Sequence, residues 1–404
     1  MKNAVMYGAG NIGRGFIGAL LSQAGYRVSF VDVAKPVVEA LQSNGKYPVR
    51  YVSSEGNRDV WVENVTAIDG NNVDEVASAI AGCDLMATAV GARILKFIVP
   101  NIVAGLRRRW AMGGGCLNII ICENLMDANQ VLEGMIKELL TPDECAVFDA
   151  TVGLVEASIG RMVPVQTEQM KDGESLRVCV EEYGFLPVDK AAFKGEIPSI
   201  TALVPAAPFD FYIKRKLFLH NMGHAICAYL GSFNGRKYIY QAIDDPDILY
   251  IVQNAMLDSA NALSLKYGVP MNDILPHVRD LLRRFTNQAL GDTCQRVGGD
   301  PARKLGREDR LVGAGKLCLE MGIHPVFTAL GAAGAIYRFQ AENSLEQTLS
   351  QAQQTLAQLS GLTQEDPLAQ LILSLYPCFT EGLTPAQMRS HVQAIQNKYL
   401  KGIV

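Results

Sequence analysis

The constraint that most limits what this chain can fold into comes at its eighth residue. Gly8-Ala9-Gly10-Asn11-Ile12-Gly13 follows a short apolar run ending in Val5 to Tyr7 and opens a helical pattern over residues 12 to 24. In that context the three glycines have separate tasks. The first permits a tight turn, the second lets backbone approach a pyrophosphate, and the third lets the helix pack on the strand. The helix N-terminus then offers unpaired N–H groups and a positive dipole end to phosphate. Asp32 ends the next strand, Val28 to Val33, about twenty residues on, where a carboxylate accepts from ribose hydroxyls and repels a 2′-phosphate. The expectation is a dinucleotide site for NAD, built from Gly8, Gly10, Asn11, Ile12, Gly13 and Asp32. Thr88, Val90 and Gly91 join it, at the end of a later strand. Arg14 and Lys35 are nearby cations that could instead accommodate a 2′-phosphate.

The rest of the first half alternates apolar strand-like runs with helical patterns, the signature of a parallel sheet covered on both faces. Strand candidates are 83 to 90, 116 to 122, 145 to 149 and 176 to 190, with an inserted hairpin turning at Glu55-Gly56. From about residue 198 helical periods take over: 208 to 231, 236 to 267, 271 to 290, 303 to 322, 325 to 340, 345 to 360, 366 to 381 and 385 to 400. The 404 residues therefore divide into an α/β Rossmann-type domain, 1 to 197, and an all-α domain, 198 to 404, expected to carry substrate and chemistry in a cleft between them.

Composition narrows the classes. With 49% hydrophobic residues and a net charge of −4, neither disorder nor general polyanion binding is expected, so no nucleic acid is expected as partner. The longest apolar stretches fall far short of the roughly 20 residues a bilayer needs, and the N-terminus carries no targeting pattern. Nine cysteines, scattered with no CxxC pair, suit reduced thiols and a cytoplasmic location. Cys122 and Cys227 read as small buried hydrophobes.

A nicotinamide site needs a proton acceptor for the alcohol and donors for the developing alkoxide. The helical half offers them in one stretch, Lys216 to His224, within a helix that is otherwise largely apolar. At about 100° per residue, Asn221 and His224 lie roughly 140° and 80° around from Lys216, so all three can line one broad face. A lysine desolvated there loses basicity from about 10.4 towards 7 to 8, the range a general base needs. The competing reading leaves Lys216 reaching to solvent and His224 satisfying a core hydrogen bond. His220 and His224 are four apart, but zinc catalysis takes three protein ligands, and His277, His324 and His391 stand alone. No metal is expected.

On GAGNIGRGFIG (8 to 18), TAVG (88 to 91), NIIICEN (118 to 124), VGLVEASIGRMVP (152 to 164), KLFLHNMGHAICAYLG (216 to 231) and RVGGDPARKLGREDRL (296 to 311), the chain resembles the polyol-specific long-chain dehydrogenases, the mannitol dehydrogenase family. The likeness is strongest to members that use mannitol 1-phosphate. It implies a zinc-independent, NAD-linked enzyme in which Lys216 is the base, while Asn221 and His224 hold the oxygen as it becomes a carbonyl. It also implies substrate contacts from Asn124, Arg296 and Lys304, and allows a single working chain. Glu156 and Gly160 stand where those members have Asp, and Val312-Gly313-Ala314 where they have Ile-Lys-Pro.

Residues 283 to 310 hold Arg283, Arg284, Arg296, Arg303, Lys304, Arg307 and Arg310 against Asp292, Asp300, Glu308 and Asp309. Such an excess fits a phosphate, which arginine grips with paired donors, or a helix surface laced with ion pairs. The resemblance favours the phosphate, with Arg303 added to the substrate set. The expected reaction is D-mannitol 1-phosphate + NAD⁺ to D-fructose 6-phosphate + NADH. The alternatives are an unphosphorylated polyol or a hexonate of the tagaturonate/altronate type, and a binding protein that senses NAD without turnover.

Overall fold

The computed structural model describes residues 1 to 400. By internal packing the chain forms two compact units, Met1–Asp210 and Phe211–Val404. The division falls just after strand Leu203–Ala206, which pairs with Leu186–Asp189 and so ties residues beyond 197 to the first unit.

The first unit is built on a six-stranded, wholly parallel sheet. Its strands come from a set numbered in chain order: β1 Lys2–Tyr7, β2 Tyr26–Asp32, β3 Lys46–Ser53, β4 Gly56–Glu63, β5 Val65–Asp69, β6 Leu85–Thr88, β7 Leu117–Ile121 and β8 Val152–Glu156. The spatial order is β5-β2-β1-β6-β7-β8, which is 3-2-1-4-5-6 counted within the sheet alone, the doubly wound order with its switch point beside β1. Alternation along β1 shows why its run is continuously apolar. Ala4 and Met6 belong to one buried cluster and Val5 and Tyr7 to the other, one on each face.

The hairpin turning at Glu55-Gly56 is β3 with β4, and β3 also pairs in parallel with β9, Val178–Val180. Two expectations fail here. Residues 145 to 149 are not a strand but lie in helix Pro142–Thr151, and the sheet's last strand is β8. The apolar letters of that run are outweighed by its start: Thr141 and Glu144 form a reciprocal capping box and Pro142 occupies the first turn. Residues 176 to 190 are two short strands in different sheets, β9 and β10, Leu186–Asp189, the latter paired with β11, Leu203–Ala206.

Among the described residues the elements of the second unit are all helices, as expected. Its central element runs from Asp210–Arg215 through a π-helical turn, Lys216–Asn221, into Met222–Phe233. Ala225 to Leu230 are at most 2% exposed. Pro246–Tyr267 and Val326–Glu342 pack against this helix. Several expected long helices are broken by turns. The basic stretch becomes the one-turn helices Cys294–Val297 and Pro301–Lys304, followed by Val312–Glu320. Among the described residues no helix is long and apolar enough to cross a membrane.

Candidate active site

The glycine turn is assembled by close approaches that only glycine allows. Gly8 has φ +101°, and a Cβ on it would lie 2.5 Å from the carbonyl oxygen of Ala89. A Cβ on Gly13 would sit 1.9 Å from the carbonyl oxygen of Gly8, so the helix can rest on the turn only without one. Gly10 is different: its φ is ordinary and no protein atom lies within 4 Å of where its Cβ would be. Neither backbone strain nor protein packing accounts for a glycine there. A phosphate group drawn close to the backbone would use that space, so the residues present fit a dinucleotide.

Asp32 braces the same turn, Oδ2 accepting from the Ala9 N–H at 2.7 Å and Oδ1 from the Ala34 N–H at 2.9 Å. A carboxylate has about four lone-pair positions, so two remain for ribose hydroxyls. Asn11 is exposed and Ile12 half-buried at the mouth of the turn. Arg14, a candidate for gripping a 2′-phosphate, is buried instead. Its guanidinium donates to the carbonyls of Ala9 at 2.7 Å and Leu176 at 2.5 Å, and Tyr47 donates to its own carbonyl at 2.7 Å. Of the cation pair, only Lys35 is exposed.

Thr88 is wholly buried, while Val90 and Gly91 reach the surface. Their N–H groups are already used: Val90 donates to Glu123 Oε1 at 2.9 Å and Gly91 to Glu123 Oε2 at 2.7 Å. Glu123 follows β7 and is 7% exposed, a bidentate brace for the loop after β6 that sequence reasoning missed. A carboxylate closing an apolar strand was the available signal. Asn124, next to it, is exposed.

In the second unit the π-helical turn changes the geometry expected of Lys216 and Asn221. A π-helix bonds each residue to the fifth one on, so its turn is wider and residues five apart lie closer around the axis than in an α-helix. The roughly 140° separation of an α-helix therefore narrows, and both side chains share a face. Burial, reinforced by the positive charge of Arg310, pushes the Lys216 amine down to about 8.

His224 lies one turn further on, its ring stacked on Phe285 at 4.8 Å and 12°. Burial, with the charges of Arg296, Arg310, Arg284 and Lys304, drives its basicity down to about 3. It is neutral at working pH. Its Nε2 stands 3.5 Å from Asp292 Oδ2. His220, 5.9 Å from His224 ring to ring, is likewise driven low, first by burial and then by Arg284. Among the described residues no group of three His, Cys, Asp or Glu could hold a metal ion.

The basic stretch answers to both of its readings. Arg283 pairs with Asp280, Arg303 with Asp300 and Arg310 with Asp309, as an ion-laced surface would. Yet Arg284, Lys304 and Arg310 are each under 9% exposed, and the positive field at His224 comes from this set. Lys304 is held by the Gly299 carbonyl and pushed down to about 8 by burial and by Arg310 and Arg303. Arg296 pairs with Asp292 and Arg303 stays half-exposed. Asp292, on a loop, and Phe285, the last residue of helix Met271–Phe285, were the residues missed here, because packing between separate segments brings them to His224.

Comparison with known proteins gives a consistent picture. Residues 2–202 match the family model of the mannitol dehydrogenase Rossmann domain and residues 209–401 that of the mannitol dehydrogenase C-terminal domain. A mannitol-1-phosphate 5-dehydrogenase of Brevibacillus brevis is 36% identical over 375 residues, covering 91% of this chain and 96% of that protein. One of Bacillus subtilis is 36% identical over 378 residues, covering 92% and 98%. Among solved structures, Pseudomonas fluorescens mannitol 2-dehydrogenase, in complex with NAD and D-mannitol, shares the fold at TM-score 0.78 and 14% identity, covering 97% of this chain and 94% of its own. A D-sorbitol dehydrogenase shares it at TM-score 0.77 and 15% identity, covering 95% and 94%.

Proposed function

The chain belongs to the mannitol dehydrogenase family, and from that membership we propose that it catalyses the reversible NAD-linked oxidation of D-mannitol 1-phosphate to D-fructose 6-phosphate. NAD, when bound, supplies the hydride acceptor. The open backbone at Gly10, the dipole end of the following helix and the free lone pairs of Asp32 are the groups that would hold it.

The observation that carries the reading is the state of Lys216. An amine near 8 is free base in about one molecule in ten at pH 7, against about one in 3,000 at its ordinary 10.5. Lys216 Nζ therefore takes the hydroxyl proton in oxidation and returns it in reduction without a metal. Asn221, on the same face of the π-turn, brings amide N–H donors to the oxygen as charge develops. His224 adds a neutral imidazole beside it.

The basic residues Arg296, Arg303, Lys304 and Arg310 favour an anionic substrate, and Asn124 belongs to the substrate set on the family resemblance. All nine thiols are free, in keeping with a cytoplasmic enzyme that meets small molecules rather than membranes or nucleic acid.

Rates of NADH consumption with fructose 6-phosphate, fructose and tagaturonate test the proposal. Fructose 6-phosphate should be preferred by at least about tenfold in kcat/KM. Preference for fructose or tagaturonate would assign an unphosphorylated polyol or a hexonate. NADH binding with no turnover of any of them would make the chain a nucleotide-binding protein.

A further inference from the structure

Asp292 is fixed from two sides. Its carbonyl accepts from the Ile239 N–H at 2.9 Å, and its neighbour Thr293 bridges to Tyr238. Its carboxylate is 8% exposed, with Oδ1 on the Arg296 guanidinium and Oδ2 at 3.5 Å from His224 Nε2. Stacking on Phe285 sets the plane of the imidazole. Asp292 is the carboxylate that the structure places against Nε2 of that ring.

A neutral imidazole carries one N–H and one lone pair. Setting the bare nitrogen against a buried carboxylate would oppose two lone pairs in a poorly solvated place, whereas setting the N–H there makes a charge-assisted hydrogen bond. The 3.5 Å separation is long for such a bond, as hydrogen bonds in ligand-free active sites often are before substrate tightens them.

We propose that Asp292 is a positioning residue that fixes His224 as its Nε2–H tautomer, so that His224 presents an unprotonated Nδ1 and accepts a hydrogen bond from a substrate hydroxyl. This deepens the reading of the site as a polyol phosphate dehydrogenase and rests on it. It also divides the work of the helix differently from the family-based expectation. Asn221 alone of the pair donates to the developing carbonyl oxygen, and His224 selects a hydroxyl elsewhere on the chain of carbinols. Burial strengthens the division, since an imidazole whose basicity has fallen to about 3 gains no second N–H at working pH. A substrate with a carbonyl or carboxylate at that place would face a lone pair and be rejected, so the device selects polyols over oxo acids.

Long-range ¹H–¹⁵N spectra of the full chain, labelled at histidine and recorded with and without NADH, test this. The His224 signals are identified by their loss in His224→Asn. The expected pattern is protonated Nε2 and bare Nδ1 from pH 8 down to pH 5, and a protonated Nδ1 overturns the proposal. Asp292→Ala should give a mixture of tautomers and lower kcat about 100-fold, with NADH affinity unchanged and partial recovery in Asp292→Glu. Full activity in Asp292→Ala also overturns it. Should Asp292→Ala fail to fold, the tautomer of the unaltered protein still decides. Absence of turnover with any polyol phosphate would sink the functional reading and leave the tautomer measurement standing, whereas the wrong tautomer in an active enzyme sinks this inference alone.

Discussion

Replacing Lys216 with Met should make the protein both more stable and inactive. Burial and the Arg310 charge lower the amine from 10.5 to about 8 in the folded chain. Between about pH 8 and about pH 10.5 the unfolded chain therefore holds more protons than the folded one, and stability rises with pH through that window. Below about pH 8 the whole penalty is present. A gap of about 2.5 units at 1.36 kcal/mol each sets it at up to about 3 kcal/mol.

Lys216→Met keeps the apolar stem and removes the charge. Denaturant unfolding at pH 7 should show a gain approaching that size, shrinking towards zero near about pH 10. Turnover should fall by about 10²–10⁴, the worth of a positioned base, while NADH still binds. In the unaltered enzyme, kcat/KM for oxidation should climb about tenfold per pH unit and level off near about pH 8. A variant no more stable than the original at pH 7, or an ascending limb that continues to about pH 10, would show that the ammonium is fully hydrated, and the assignment of Lys216 as base would fall with it.

Gly10→Ala should leave unfolding within about 1 kcal/mol of the original and weaken NADH binding at least tenfold in a fluorescence titration. Gly13→Ala, with its Cβ 1.9 Å from the Gly8 carbonyl oxygen, should instead unfold the first unit or displace its first helix, seen as lost thermal stability. Glu123→Ala strands the N–H groups of Val90 and Gly91, so hydrogen exchange in residues 88 to 91 should accelerate and KM for NAD should rise. Asp258, in the middle of Pro246–Tyr267, has its carboxyl raised to about 7 by burial, and its Oδ2 has no hydrogen-bond partner. The folded chain holds the extra proton between about pH 4 and about pH 7, so stability falls as pH rises through that range. Asp258→Asn should add about 2–4 kcal/mol at pH 8 and little at pH 4.

The glycine turn, the parallel sheet and the helical second unit could be read from the sequence because each is announced locally. A strand buried on both faces is continuously apolar, and three glycines at fixed spacing leave few alternatives. What could not be read depends on competition between signals or on distant partners. Residues 145 to 149 look like a strand until the capping box of Thr141 and Glu144, which fixes the helix start, is weighed against them.

The π-helical turn was equally hidden. At about 100° per residue Lys216 and Asn221 stand roughly 140° apart, at the limits of one broad face; the π-turn narrows that separation, and no local letter announces it. The loss of Lys at position 313 has a packing reason of the same long-range kind. A Cβ on Gly313 would lie 2.8 Å from the Glu308 backbone and 3.1 Å from the Phe218 ring, and Phe218 belongs to the same π-turn. A larger residue at 313 would press on the segment that carries Lys216 and Asn221. Glycine at 313 therefore goes with the shape of the helix proposed to carry catalysis. It removes one cation from the neighbourhood, and the positive field is left to Arg296, Arg310, Arg284 and Lys304, which the fold gathers around His224.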